Sequence, residues 1–327
     1  MDQQTGHYDL VKKLHSACGL QIAHININGL FKKMEEVKLL LKETRLDLLA
    51  ITESHLDKDL HTDNEINIDN YSFLRKDRTG QKNHWGGVIL YYKSSLEVLQ
   101  LKIGEDLEAI FTEVVLKSQK LFVGCIYRPP NEKNFILHFN ALMKDIQHRS
   151  NVLLLGDFNI DLLDNDKPLT RNFKQSLSEF HLVNVIKEYT RVTASSKTLI
   201  DHAITTNPSK VNLSGTYSPG ISDHDLIFVV LNLFPKINPP KLIPVRNYKN
   251  IDTQRMKSDF KTVPWHIIEI FDDVDDSLWC WENLFNQVVS DHVKTRKVKV
   301  KSDNQPWMTG EVRKSINNRY KLLLTES

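Results

Sequence analysis

The stretch VLLLGDFNID (152–161) decides how this chain is read. Apolar residues run without a polar break up to Gly156, and then Asp157, Asn159 and Asp161 follow. A short continuous apolar run closed by glycine fits a strand covered on both faces. Polar side chains at and just past its end stand where loops on a packed scaffold build sites.

The same arrangement recurs along the chain. QIAHINI (21–27) carries Asn26 next to its end and leads to Asn28, and LDLLAIT (46–52) is followed by Glu53. LFVGCIY (121–127) ends on Tyr127, LIDHAIT (199–205) holds Asp201, and Asp223 and His224 precede LIFVVLNLF (226–234). Between these runs, FKKMEEVKLLLKETR (31–45) carries Met34, Val37, Leu40 and Leu41 at helical spacing, and 133–149 and 169–180 read as similar surface helices. In 87–127 the runs GVILYY, FTEVVL and LFVGCIY follow too closely for intervening helices, which predicts antiparallel pairing there. Strands covered by helices imply layered α/β packing.

The 327 residues suffice for one large domain or two of ordinary size, and 40% hydrophobic with 26% charged residues is ordinary globular composition. A net charge of +2 gives no strong field, so nucleic-acid binding would have to come from local patches. Cys18, Cys125 and Cys280 are distant from one another and form no CxxC pair, which argues against a zinc knuckle or disulfide framework and suits a reducing compartment. Cys125 reads as a small buried hydrophobe. MDQQTGHYDL is no signal peptide, and LIFVVLNLF is too short to span a bilayer. The expectation is an intracellular protein, nuclear or cytoplasmic, without a membrane partner. Residues 1–19 read as a weakly ordered leader, 20–234 as the main domain, and 235–249, with four prolines in FPKINPPKLIPV, as a linker. Residues 250–327 read as mainly helical.

Phosphodiester hydrolysis needs neutralised phosphate charge, an activated water and a stabilised leaving oxygen. Glu53 is a hard oxygen ligand suited to Mg²⁺, and Asn26 can bond without adding charge. Asp157 could orient or deprotonate water, and Asn159 or Tyr127 could hydrogen-bond the phosphate. Asp201 could hold His224 in one tautomer. Any one of these acidic residues alone is more often a turn former or helix cap, and a lone histidine more often structural. Six strand-end placements of compatible types in one chain favour a site.

HININGL (24–30), ITES (51–54), IYRPPN (126–131), LLGDFNID (154–161), LIDH (199–202) and GISDHDLI (220–227) resemble, in order and spacing, the motifs of the endonuclease/exonuclease/phosphatase superfamily. The resemblance spans about residues 20–234. It implies an α/β (α+β) fold: a four-layer αββα sandwich of two packed mixed sheets flanked by helices, with a mainly helical C-terminal segment. It also implies metal-site roles for Asn26, Glu53 and Asp223, and catalytic roles for Tyr127, Asp157, Asn159, Asp201, Asp223 and His224. Mg²⁺, or Mn²⁺ in its place, would be the cofactor. Asn28 stands where repair-type relatives usually show Asp and LINE-type relatives often show Asn. YRPPN, DFNID, SDHDLI and GGVILYY look like chicken-repeat- and jockey-type LINE (non-LTR) retroelement endonucleases. RNY, PWMTGEV and INNRY within 245–320 resemble the segment those elements carry before their reverse transcriptase. The chain shows no YxDD-like polymerase motif, so the expectation is a fragment of such an element or a gene derived from one. DNA is the expected partner, with element RNA or a reverse transcriptase on another chain as further candidates.

RKDRTGQKNHW (75–85) could lie along DNA through Arg75, Lys76, Arg78 and Lys82, with Arg128 a further candidate, or be a solvated hairpin loop. KTRKVKVK (294–301) could touch nucleic acid, act as an import signal, or be a solvated face. Trp265, Trp279, Trp281 and Trp307 read as core anchors. The leading function is an Mg²⁺-dependent endonuclease that nicks DNA and leaves a 3′-hydroxyl. Alternatives on the same fold are an abasic-site repair nuclease and a lipid or inositol phosphatase. A domesticated nucleic-acid-binding protein without activity is the third reading.

Overall fold

The computed structural model describes residues 3–78, 85–235, 241–249 and 251–300. Lys82 and Trp307 lie outside these described residues. The chain divides into two compact units, 1–237 and 238–327.

The first unit opens with α1 (Gln3–Ser16), then β1 (Leu20–Asn26), α2 (Met34–Thr44), β2 (Leu48–Thr52), β3 (Tyr71–Lys76) and β4 (Val88–Lys93). There follow β5 (Glu97–Leu101), β6 (Glu108–Val115), β7 (Lys120–Tyr127), α3 (Phe135–Ile146), β8 (Val152–Asp157), α4 (Pro168–Glu179) and β9 (Val183–Asn184). A small hairpin, β10 (Arg191–Val192) and β11 (Lys197–Thr198), precedes β12 (Asp201–Thr205), β13 (Val211–Tyr217) and β14 (Leu226–Leu231). One six-stranded sheet runs β13-β14-β1-β2-β4-β3, and the other runs β5-β6-β7-β8-β12-β9. Both are mixed: β1–β2 and β7–β8 are parallel, and the other pairings are antiparallel.

Alternation along each strand builds three apolar layers. Ile22, Leu48, Ala50 and Leu90 of the first sheet meet Val123, Cys125, Leu153, Leu155 and Ala203 of the second, forming the central core. The opposite faces of the first sheet, through Ala23, Ile25, Leu49 and Ile51, pack under Met34, Val37, Leu40 and Leu41 of α2. Phe111, Phe122, Leu154 and Ile204 of the second sheet pack under Phe135, Phe139, Phe173 and Leu177 of α3 and α4. This double covering is why the strands read as unbroken apolar runs, and the four-layer sandwich expected from the motifs is borne out. Truncating one such fully buried leucine to alanine costs about 2–5 kcal/mol.

Several expectations need correction. Residues 3–16 form a helix rather than a loose leader, because Leu10 and Leu14, one turn apart, are buried in the layer under α2. Strand β4 belongs to the first sheet, so the antiparallel run that continues through β7 begins at β5, a strand of mostly exposed residues that carries little apolar signal. The proline-containing tract is not all linker. In the second unit β15 (Lys241–Arg246) pairs antiparallel with β16 (Thr295–Val300), and Pro244 is tolerated because a two-stranded ribbon has edges on both sides.

The second unit also holds α5 (Thr253–Thr262) and α6 (Val274–His292). Asp252 and Asp273 cap them, each accepting hydrogen bonds from two backbone N–H groups of the first turn. Trp265 stacks on Phe260 and Trp281 on Phe285, but Trp279 and Trp281 remain exposed and are not core anchors. Among the described residues no helix is long and apolar enough to cross a membrane.

Candidate active site

Strand register gathers the polar residues. In the second sheet Tyr127 of β7 is the parallel partner of Asp157 in β8, and Asp157 is the antiparallel partner of Asp201 in β12. The three therefore stand in one row across the sheet. In the first sheet Asn26 ends β1 opposite Thr52, the last residue of β2, so Glu53 emerges beside it. His224 enters just before β14, which pairs with β1 on its other side. Gly156 permits the tight β7–β8 approach: a Cβ there would lie 1.7 Å from the Ile126 carbonyl oxygen.

The side chains join across the gap between the sheets. Asn26 donates through Nδ2 to Glu53 Oε1 at 2.9 Å and to Asp157 Oδ2 at 2.8 Å. Tyr127 donates its hydroxyl to Glu53 Oε1 at 2.9 Å. Asn159 donates its backbone N–H to Asp157 Oδ1 at 2.9 Å and its amide to the Arg128 carbonyl, also at 2.9 Å. Asp201 Oδ2 lies 2.8 Å from His224 Nδ1. Asn28, Glu53, His55 and Asn159 all adopt left-handed backbone conformations, with φ between 47° and 51°. Asparagine tolerates that region, but Glu53 and His55 are held there against preference, as occurs where a site over-determines its backbone.

The electrostatics divide the site. Burial alone would raise the pKa of Glu53, but His55, Asn26 and Tyr127 stabilise its charge and bring it down to about 2. Asp157 is pushed up, first by burial and then by the neighbouring Asp201 charge, against the opposing pull of His224, Asn26 and the Asn159 N–H. His224 is disfavoured as a cation by burial, yet Asp201 above all, with Asp157 and Asp223, lifts it to about 9.

Oxygen donors suited to a divalent cation are present. The ionised Glu53 carboxylate is partly exposed, and its Oε2 lies 3.6 Å from His55 Nε2. Asn26 Oδ1 accepts one bond, from the Asn28 N–H at 3.2 Å. Asp157, Asp201 and His224 also bring ligand atoms within 4.8 Å of one another. That trio is buried, however, and its His224 Nδ1 is already committed to Asp201. Glu53 with Asn26 fits a hydrated hard ion better.

Seven of the expected residues come together: Asn26, Glu53, Tyr127, Asp157, Asn159, Asp201 and His224. Asp223 does not join them. Its exposed carboxylate accepts from Arg191 Nε and Nη2 at 2.9 and 2.7 Å. Two expected DNA-facing cations turn inward. Arg75 binds Asp77, Asp63 and the His61 carbonyl with its guanidinium almost wholly buried. Arg128 braces the carbonyls of Pro130, Glu132 and Asn159. A guanidinium fork satisfies clustered carbonyls better than any other side chain, so both are spent on loop architecture. Lys76 donates to the Leu107 carbonyl at 2.8 Å, and Arg78 pairs with Glu108 while lying over the Tyr127 ring; both stay half-exposed.

Sequence reasoning missed four residues. Thr190 accepts the N–H groups of Ile200 and Asp201 through Oγ1 at 3.2 and 3.0 Å, fixing the start of β12. His55 neighbours Glu53. His24 lies 3.7 Å from the second Asp201 oxygen, and Thr52 bonds His24. The period-two alternation of β1 places His24 on the same face as Asn26, a signal that was present in HININGL.

Comparison with known proteins bears on this geometry. The model of the Endonuclease/Exonuclease/phosphatase family matches residues 23–224, a span that holds every residue of the cluster. The chain belongs to this family. Its members cleave phosphodiester bonds and typically use divalent metals. Among solved structures, an AP endonuclease from Leishmania major superposes with a TM-score of 0.55 at 14% identity, covering 65% of this chain and 87% of that one. The endonuclease domain of TRAS1, a telomere-specific non-LTR retrotransposon, gives 0.52 at 11% identity, covering 65% and 99%. A 3′ phosphatase from Neisseria bound to a product DNA hairpin gives 0.52 at 18%, again covering 65% and 99%. At such identities the likeness establishes the family's fold alone. No curated protein matches the chain.

Proposed function

We propose that this family member is a DNA-nicking endonuclease of retroelement origin that leaves a 3′-hydroxyl. The observation that carries the reading is the Asn26 bridge between Glu53 and Asp157, with Asp201 and His224 in the adjoining row. It joins an ionised carboxylate, a proton-accepting carboxylate and an imidazolium in one site. The retroelement motifs, including Asn28, and the likeness to the TRAS1 domain support the origin.

Glu53 and Asn26 would hold Mg²⁺, with Mn²⁺ as a substitute; bound there, the ion would neutralise phosphate charge and stabilise the leaving oxygen. Asp157, raised towards neutrality, is suited to accept the proton of the attacking water, since a base works best with its pKa near the working pH. Asn159, whose backbone N–H fixes Asp157, orients that water. His224 carries its charge at neutral pH and donates from Nε2 to a phosphate oxygen, while Asp201 holds the ring through Nδ1. The water oxygen bonds to phosphorus as its proton passes to Asp157, the P–O3′ bond breaks with its electron pair going to the 3′-oxygen, and that oxygen takes a proton from solvent to become the hydroxyl. Tyr127 keeps Glu53 in place. Lys76 and Arg78 are the half-exposed cations that remain for phosphate contacts.

The test is conversion of supercoiled plasmid to open circle with Mg²⁺, with nick ends mapped by polymerase extension. The proposal expects nicking that EDTA stops and ends that a polymerase extends. A duplex with one abasic site and a 3′-phosphorylated duplex are run beside it, because solved neighbours include an AP endonuclease and a 3′ phosphatase. Intact DNA left uncut while the abasic duplex is cleaved would move the assignment to repair. Undiminished cutting in chelator would overturn the metal requirement.

A further inference from the structure

We propose that His24 is a positioning residue that holds the Asp201 oxygen His224 leaves free, so that the Asp201 carboxylate stays aimed at the His224 ring. The inference rests on the proposed nuclease reaction only for the activity it serves; the contact itself does not depend on it.

His24 lies on β1 and Asp201 on β12, in different sheets, and both are fully buried. His24 Nδ1 faces Asp201 Oδ1 at 3.7 Å, within reach of electrostatic attraction but longer than a hydrogen bond. Among the described residues neither buried atom has a hydrogen-bond partner. His24 Nε2 is 3.0 Å from Thr52 Oγ1. The tautomer follows from these three facts. A proton on Nε2 would turn the Nδ1 lone pair towards a carboxylate oxygen, lone pair against negative charge, and leave that oxygen sealed with no N–H facing it. With the proton on Nδ1, the Thr52 hydroxyl donates to Nε2 and Nδ1–H faces Asp201 Oδ1. Thr52 then donates to His24, the polar Nδ1–H of His24 is directed at one Asp201 oxygen, and His224 donates to the other.

The need for such a contact is geometric. A carboxylate turns easily about its last torsion. A single bond to His224 would leave Asp201 free to swing, whereas donors on both oxygens fix its plane. Partners that orient a functional group in this way are worth about 10- to 100-fold in activity.

The experiment compares His24→Leu, which keeps volume and loses the donor, with His24→Asn, whose amide can stand near the place of Nδ1. Thr52→Val, which removes the hydroxyl that sets the tautomer, is the third variant. On a nicked-duplex assay His24→Leu should lower kcat by about 10- to 100-fold with KM within about 3-fold, and His24→Asn should recover most of that loss. The second readout needs no activity: the low-field Nδ1–H proton resonance of His224 in histidine-labelled protein with chelator, identified by its loss in Asp201→Asn. It should shift or broaden in His24→Leu and in Thr52→Val and stay near its wild-type position in His24→Asn. Equal activity of the leucine and asparagine variants, with the resonance unmoved in both, would reduce His24 to a core filler. If neither His24 variant folds, the Thr52→Val resonance decides, and an unmoved signal overturns the proposal. If wild type cuts no DNA, the nuclease reading fails while the resonance still judges His24.

Discussion

Glu53 and Asp157 share one amide donor, Asn26, yet they sit in opposite regimes of protonation. Glu53 stands at the rim of the first sheet, partly open to solvent, with three partners favouring its charge. Asp157 ends a central strand of the second sheet, sealed, with Asp201 as its register partner. The same functional group becomes a fixed charge in one place and a proton acceptor in the other. The difference teaches that this site sorts carboxylates by burial and by neighbours rather than by residue type.

If that sorting is right, substitutions on the two sides fail differently. His224→Ala should have the largest effect, lowering kcat about 1,000-fold or more, and Asp157→Asn a similar one, with Mg²⁺ dependence unchanged in both. Glu53→Gln should cost less, about 100-fold, and part of the loss should return at higher Mg²⁺, which a metal titration of the nicking rate reads out. A loss in Asp157→Asn that Mg²⁺ restores would erase the distinction.

Proton linkage gives a smaller effect. The folded pKa of His224 lies above its usual value, so its charged form contributes stability that is complete below about pH 6.5 and lost as the pH rises through about 9. Asp157, also raised, works in the opposite sense, and its cost accumulates from the ordinary carboxylate range upward. In chelator, the urea-derived stability difference between wild type and His224→Gln should therefore shrink by about 3 kcal/mol between those limits. A constant difference across that window would deny the imidazolium.

Outside the site, Arg75→Ala should lower stability by about 2 kcal/mol and leave the salt dependence of DNA binding unchanged, whereas Arg78→Ala should reduce that slope by about one phosphate contact. The reverse result would return Arg75 to the DNA surface.

Much of this was legible in the sequence because the signals are local. Continuous apolar runs such as VLLLG mark strands covered on both faces, and Met34, Val37, Leu40 and Leu41 mark the covering helix. The strand-end polar residues were legible for the same reason. What escaped depends on pairing between distant segments. That Asp201 opposes Asp157, or that His24 meets Asp201, is set by register and by the stacking of two sheets. The fate of Arg75 and Arg128 escaped too, since a cation in a loop reads alike whether it meets solvent or a ring of carbonyls. Asp223 sits beside His224 in the chain but turns to Arg191, a partner supplied by a different segment.

The division between the two carboxylates is tested most directly by Mn²⁺ binding followed by electron paramagnetic resonance in the absence of DNA. Glu53→Gln should weaken binding about 10-fold or more, and His224→Gln should bind as wild type does. Binding that survives Glu53→Gln and disappears in His224→Gln would place the ion in the buried Asp157–Asp201–His224 cluster and contradict the account.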